Sequence, residues 1–303
     1  MIASSKLAPV IGEIGSLDPE VYLALHQGVE GDIAFYTGLV SAWINERGTA
    51  PRVLELGCGG GRLLKPLAEA GALMTGVDLH QGLLDRCRRT LERSSGAELS
   101  KSVSLHALDF KSLASASFPE ASGGFDLIIL PYNGLYCLPD RRSQCRLIRA
   151  VLGQLSGAGS FWLDGYALPD PSEYEYESAE DFSPLTVLEL TTEGGEERLL
   201  GVEEKDSFDL RAQVCEIEYR YCATPENEDH EPLHGRIERL THRFVYPWQL
   251  HDLCVDAGAR LQGLRAGFEG GDLDLSALKA IEWGIDIEHW VAQIKCGSRL
   301  TAL

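Results

Sequence analysis

The residues best placed to do chemistry lie in one short stretch. In Glu55-Leu56-Gly57-Cys58-Gly59-Gly60-Gly61, one carboxylate is followed by glycines at every second position. Glycine suits such a loop because a Cβ would block a ligand's approach to the backbone N–H groups, and because the turn needs unusual φ and ψ. A nucleotide-bearing ligand is the chemistry implied, and two classes use this architecture. The dinucleotide fingerprint G-x-G-x-x-G fails here: counted from Gly57 its third glycine falls on Arg62, and counted from Gly59 it falls on Leu64. The pattern that fits is E-x-G-x-G-x-G. Two further acids, Asp78 and Asp109, stand at the ends of later apolar runs. An acid at the tip of the second strand of such folds accepts hydrogen bonds from ribose hydroxyls. The alternatives are helix caps, Asp78 for the segment from 81 to 93 and Asp109 for 110–113.

The elements that must position these groups alternate strand and helix. Val53, Leu54 and Leu56 read as a buried strand before the glycines, and Leu63, Leu64 and Leu67 begin a helical period after them. Strands follow at 72–77 and 103–106. A nearly unbroken apolar strand spans 125–130, as the middle of a parallel sheet requires. A helix from 141 to 155 leads to a fifth strand over 160–166. Upstream, a segment from 20 to 28 and a second helix carrying Ile33, Phe35, Tyr36, Leu39, Val40, Trp43 and Ile44 precede the first strand, with Gly48 ending the second helix. Residues 1–18 show no period and are expected to pack loosely over the body.

After Tyr166 the rhythm stops. Residues 167–183 read as an acidic lid loop, and three alternating segments (185–191, 207–221 and 236–245) suggest antiparallel strands. The expectation is an inserted sheet without a core of its own. A helix from Pro247 and strands at 260–264 and 289–294 resume the pattern, with a short helix at 275–282 between them. The organisation expected is cover helices over 1–48, a nucleotide-binding domain of 49–166 and 247–303, and an insert over 167–246.

Bulk properties exclude other classes. The 303 residues are 44% hydrophobic, enough for a sizeable core, and no run approaches the roughly 18 apolar residues of a membrane span. Met1 to Lys6 lacks a signal peptide's apolar centre. With 27 Lys and Arg against 46 Asp and Glu, the net charge of −19 disfavours nucleic acid. Eight cysteines without a C-x-x-C pair suit reduced thiols in the cytoplasm. His230 and His234 have a metal-like spacing, but Pro232 and the acidic run before it indicate a surface turn, so no metal is expected.

The run from Glu55 to Gly61, with Asp78 and Asp109 at the expected intervals, resembles class I S-adenosylmethionine-dependent methyltransferases. The resemblance covers roughly residues 20 to 296. It implies an α/β fold: a Rossmann-like seven-stranded sheet with its last strand antiparallel, carrying the inserted antiparallel β-sheet. Within that family, Val21 to Gly28 and Thr241 to Trp248 look like the cover helix and the last insert strand of small-molecule N-methyltransferases of the amino-sugar and glycine type. The cofactor implied is S-adenosyl-L-methionine, held by Glu55 (at its amino group), Gly57, Cys58, Gly59, Gly61, Asp78, Leu79, Asp109 (at the adenine amino group), Phe110, Leu130 and Tyr132. The acceptor would meet Tyr132, Asn133, Tyr136, Tyr166, Tyr174 and His242, with Tyr22, His26 and Asn133 as candidate catalytic groups. One departure is Cys137, where related proteins often carry a histidine. The insert is expected to roof the acceptor pocket with its aromatics, Tyr174 and Tyr176 among them.

The activity implied is methyl transfer to a small molecule, an amine nitrogen being one choice. The alternatives are an O-methyltransferase, a non-catalytic binder of the same cofactor and a nucleotide-linked oxidoreductase, the last opposed by the missing third glycine. A small-molecule acceptor, no nucleic acid, no membrane and a homodimer are the partner expectations.

Overall fold

The structure is a computed structural model that describes residues 11–13, 19–94, 99, 101–168, 180–191, 197–225, 232–275 and 288–296. In chain order the elements are β1 (Ile11–Glu13), α1 (Pro19–Leu25), α2 (Asp32–Arg47), β2 (Arg52–Leu56), α3 (Leu64–Glu69), β3 (Leu73–Asp78), α4 (Gln81–Ser94), β4 (Val103–Ala107) and β5 (Phe125–Leu130). They continue with α5 (Arg141–Gln154), β6 (Leu155–Tyr166), β7 (Ser183–Thr191), β8 (Glu197–Asp209), β9 (Val214–Cys222), β10 (Ile237–Arg243), α6 (Leu250–Asp256), β11 (Ala259–Arg265) and β12 (His289–Cys296). The chain divides into two units, one of residues 28–174 and 243–303, the other of residues 1–27 and 175–242.

The larger unit is built on a seven-stranded sheet in the order β11-β12-β6-β5-β2-β3-β4. Strands β2 to β6 run parallel. The last strand, β12, is antiparallel to both of its neighbours, as the family resemblance implies. Burial explains the order: every residue of β5 is buried, which suits a central strand covered on both faces. One core cluster joins Tyr36 and Val40 of α2 to Val53, Leu64, Leu67, Met74, Leu84, Leu127 and Ile129. Gly31 and Gly48, both left-handed, bracket α2, and the Gly48 N–H closes the helix on the Ile44 carbonyl at 2.7 Å.

The smaller unit departs from expectation in four ways. It has its own core of Val21, Leu188, Leu190, Leu200, Val202, Tyr219 and Tyr221, so the insert is more than a sheet laid on a body. It groups α1 with the insert while α2 belongs to the larger unit, so the boundary expected at residue 48 falls near 27. Its sheet, in the order β1-β10-β9-β8-β7, has four strands in the insert rather than three. The segment expected over 207–221 is the end of β8, a turn and β9. That turn holds neither glycine nor proline; the Asp209 carboxylate accepts from the Ala212 N–H at 2.8 Å, and Gln213 takes φ 56°. Strand β1, parallel to β10, lies where no ordered element was expected. The helix expected at 275–282, apart from Leu275, lies outside the described residues. Among the described residues no helix is long and apolar enough to cross a membrane.

Candidate active site

The carboxyl end of β2 runs directly into the glycine loop. The Gly57 and Cys58 N–H groups donate to the Val77 carbonyl at 2.8 and 3.0 Å, which folds the loop back over β3. Gly57, Gly59 and Gly61 have φ of 72°, 52° and 85°. They are glycine for different reasons. A Cβ on Gly61 would lie 2.4 Å from the Cys87 sulfur, and one on Gly57 would press on the Phe110 ring at 3.3 Å, whereas one on Gly59 would meet nothing within 4 Å. Gly59 therefore borders open space while keeping a conformation that L residues avoid. Asp78 ties the loop down: its two carboxylate oxygens accept from the Gly59 N–H and the His80 N–H, each at 2.8 Å. Asp78 does not cap α4 itself, whose first turn is closed by the His80 side chain (Leu83 N–H to Nδ1, 3.2 Å), and each Asp78 oxygen keeps a lone pair for a ligand hydroxyl. Asp109, by contrast, does cap the 3-10 turn of Phe110–Ser115, through the Lys111 N–H at 2.9 Å. Cys58 and Leu130 are core residues: the Cys58 thiol abuts Gly76, and Leu130 packs beneath Gly134, so neither side chain faces a ligand. Leu79 is 71% exposed.

Glu55 is only 3% exposed, and among the described residues its Oε2 has no hydrogen-bond partner. Burial pushes its carboxyl up to about 8, and the Arg62 guanidinium opposes that shift. Arg62, which occupies the place of the missing third glycine, donates to both oxygens of the buried Asp32 at 2.8 and 2.5 Å. Gly28 lies on its guanidinium so closely that a Cβ would fall 2.3 to 2.6 Å from three of its atoms.

The loop after β5 holds two consecutive left-handed residues, Tyr132 (φ 55°) and Asn133 (φ 61°). Such backbone persists only where its surroundings over-determine it. Here the Tyr132 N–H donates to both oxygens of Asp164 at 3.1 and 3.0 Å, and the Tyr166 N–H donates to Asn133 Oδ1 at 2.8 Å. Asp164 is fully buried and also accepts from the Tyr36 hydroxyl at 2.7 Å, with His289 Nε2 at 3.2 Å. Asn133 is therefore a clamp on β6, not a catalytic group in waiting. Tyr136 is likewise an anchor and not a pocket wall. It is fully buried, its hydroxyl faces the carbonyls of Tyr166 (2.8 Å) and Val245 (3.1 Å), and it accepts from Trp290 Nε1 at 3.0 Å. Tyr166 packs edge-on against it, ring centroids 4.9 Å apart.

The remaining expected groups belong to the smaller unit. Tyr22 and His26 pack with ring centroids 4.6 Å apart and planes tilted by 49°, and Tyr219 meets His26 edge-on at 5.9 Å. Burial pushes the imidazoles of both His26 and His242 down to about 4, so both are neutral at pH 7. Tyr174, Tyr176 and His230 lie outside the described residues.

A family described as a methyltransferase domain matches residues 53–154, the stretch from β2 through α5. Residues 53–154, about a third of the chain, thus match a methyltransferase domain. The fold agrees: the structure of the CcbJ methyltransferase from Streptomyces caelestis superposes with a TM-score of 0.64 at 21% identity, covering 89% of this chain and 90% of that one. A cypemycin N-terminal methyltransferase from a Streptomyces species is 29% identical over 52% of this chain and 60% of its own length. A ubiquinone biosynthesis O-methyltransferase from Bordetella avium is 34% identical over 33% of this chain and 38% of its own. The chain thus spans about 60% or less of these relatives. Around the methyltransferase domain, sequence reasoning missed Arg62, Asp32, Tyr36, Asp164 and His289. Arg62 carried a signal, standing where a glycine was sought; the others are ordinary helix and strand residues until the fold joins them.

Proposed function

We propose that this chain transfers a methyl group from S-adenosylmethionine to a small-molecule acceptor, with an amine nitrogen as the favoured atom. The observation that carries the reading is the buried Glu55 carboxyl, with one oxygen left over, beside a glycine loop bordering open space. A buried acceptor without a partner is costly, and a ligand ammonium would satisfy it. S-adenosylmethionine supplies an electrophilic methyl group; the chain's residues hold and align. Glu55 would take the amino group, Asp78 the ribose hydroxyls through its spare lone pairs, and Asp109 the adenine amino group, with Phe110 against the ring. The clamped Tyr132 would bound the reacting side.

Nitrogen is favoured over oxygen by what methyl transfer demands: an amine that arrives unprotonated needs chiefly alignment and desolvation, whereas an alcohol must also give up a proton to a base. The test is transfer of labelled methyl to a panel of small amines and matched alcohols. Label on amines supports the reading; label only on alcohols gives the O-methyltransferase; binding without transfer to either gives the non-catalytic binder. The insert's bearing on the acceptor belongs to the same proposal: Tyr174→Ala and Tyr176→Ala should raise the acceptor's KM and leave cofactor affinity unchanged.

A further inference from the structure

We infer that the cleft between α5 and the 3-10 turn of Phe110–Ser115 binds a small organic anion with an apolar body. The cleft holds about 430 Å³ of free space, within the range of ligand-sized pockets. It lies beside the cofactor loop and not in it: Phe110 is a shared wall, but Gly57, Gly59, Gly61, Asp78 and Asp109 do not line it.

The cleft is preformed. Gln154, at the end of α5, donates to the Leu113 and Ala116 carbonyls at 3.1 and 3.2 Å and ties the turn to the helix. Asp140 caps the other end of α5 by accepting from the Ser143 N–H at 2.6 Å. Between these anchors the floor is apolar, with the buried Leu138 and Leu147 beside Phe110. The rim is cationic, formed by the exposed Lys111, Arg146 and Arg149, and no carboxylate lines the cleft among the described residues. Arg146 donates to the Ser143 hydroxyl at 2.7 Å and Arg149 to the Asp256 carbonyl, and neither forms an ion pair among the described residues. Lys111 has only Asp109 near it, at 4.0 Å.

Such a rim is unexpected in this chain. The net charge is −19, yet α5 holds Arg141, Arg142, Arg146 and Arg149 and no acid. Arg142, Arg146 and Arg149 follow one another about one helical turn apart, so like charges share a face and repel. Arg141 and Arg142 also stand in the first turn, against the helix dipole. The plainer reading is a solvated face balanced by the acidic surface at large. That would account for scattered arginines, but not for cations gathered around an apolar floor without an acid between them. An anion seated there would relieve the repulsion through charge-assisted hydrogen bonds, while the floor takes its hydrocarbon part.

The test is fluorescence titration with 8-anilinonaphthalene-1-sulfonate and, in parallel, with N-phenyl-1-naphthylamine, which has the same rings and no charge. The sulfonate should bind at least about 10-fold more tightly than the neutral probe, the scale of one charge-assisted contact. Lys111→Gln made together with Arg146→Gln, both on exposed side chains, should erase that preference and leave affinity for the neutral probe within about 3-fold. Saturating S-adenosylhomocysteine should leave the sulfonate bound. Equal wild-type affinity for the two probes overturns the inference, and that comparison needs no variant to fold. A preference for the sulfonate that survives the double substitution also overturns it, because the anion then sits elsewhere. Displacement of the sulfonate by S-adenosylhomocysteine assigns the cleft to the cofactor site and overturns it as well.

Discussion

Glu55 bears the sharpest consequences at the scale of single residues. Its carboxyl, at about 8 in the folded protein, is raised above the unfolded value near 4.3. The sign follows from linkage: the folded state holds the proton longer, so this group's contribution to stability is present below about pH 4.3 and is lost as pH rises toward 8. His26 and His242 act oppositely, their contribution being present above about 6.5 and lost as pH falls through 4. Glu55→Gln should therefore flatten the loss between pH 5 and 8 in urea denaturation of the ligand-free protein and leave the acid limb untouched. An unchanged slope in that window would remove Glu55 as its cause. Binding a cationic ligand beside Glu55 should expel its proton, so calorimetry at pH 7 in buffers of different ionisation enthalpy should register about one proton released, absent in Glu55→Gln. Asp78 carries two duties, and Asp78→Ala should show both: cofactor binding weaker by about 1–3 kcal/mol and stability lower by about 1 kcal/mol. Intact affinity with a lower melting temperature would leave it as a tie between the two loops alone.

Among the elements, the clamp between the β5 loop and β6 is the feature with most at stake. Asp164 accepts from the Tyr132 N–H and the Tyr36 hydroxyl, beside His289, with no exposure to water. Asp164→Asn turns one acceptor into a donor aimed at donors. The expected cost is about 3 kcal/mol in urea denaturation, together with fast hydrogen exchange at the Tyr132 amide; slow exchange there would mean that the loop is held by something else. The strands themselves were legible because their apolar runs are long and bounded by turn residues, and β5 matches its expected limits. What escaped was local. The turn after Asp209 has no glycine or proline to mark it, so two strands read as one. An aromatic in a loop at a strand end looks the same as a pocket wall or as an anchor, and only the fold shows Tyr136 bonded to Tyr166, Val245 and Trp290.

For the whole molecule, the legible part was the one with repeating strand–helix periodicity, which is also where the methyltransferase family matches. Division into units was less legible, because α1 and the insert are far apart in sequence and share a core that no local pattern announces. The net charge of −19 sets a further expectation. A cationic acceptor should be drawn to such a surface, so its KM should rise with ionic strength while kcat holds, the field being screened beyond about 10 Å at 0.1 M salt. A salt-independent KM would separate acceptor capture from the overall charge. The central claim concerns which nucleotide the glycine loop holds, and one measurement bears on it directly: calorimetric titration of the purified chain with S-adenosylhomocysteine and, separately, with NAD. The account predicts a Kd on the order of micromolar for S-adenosylhomocysteine and no heat from NAD; binding of NAD with no response to S-adenosylhomocysteine would contradict it.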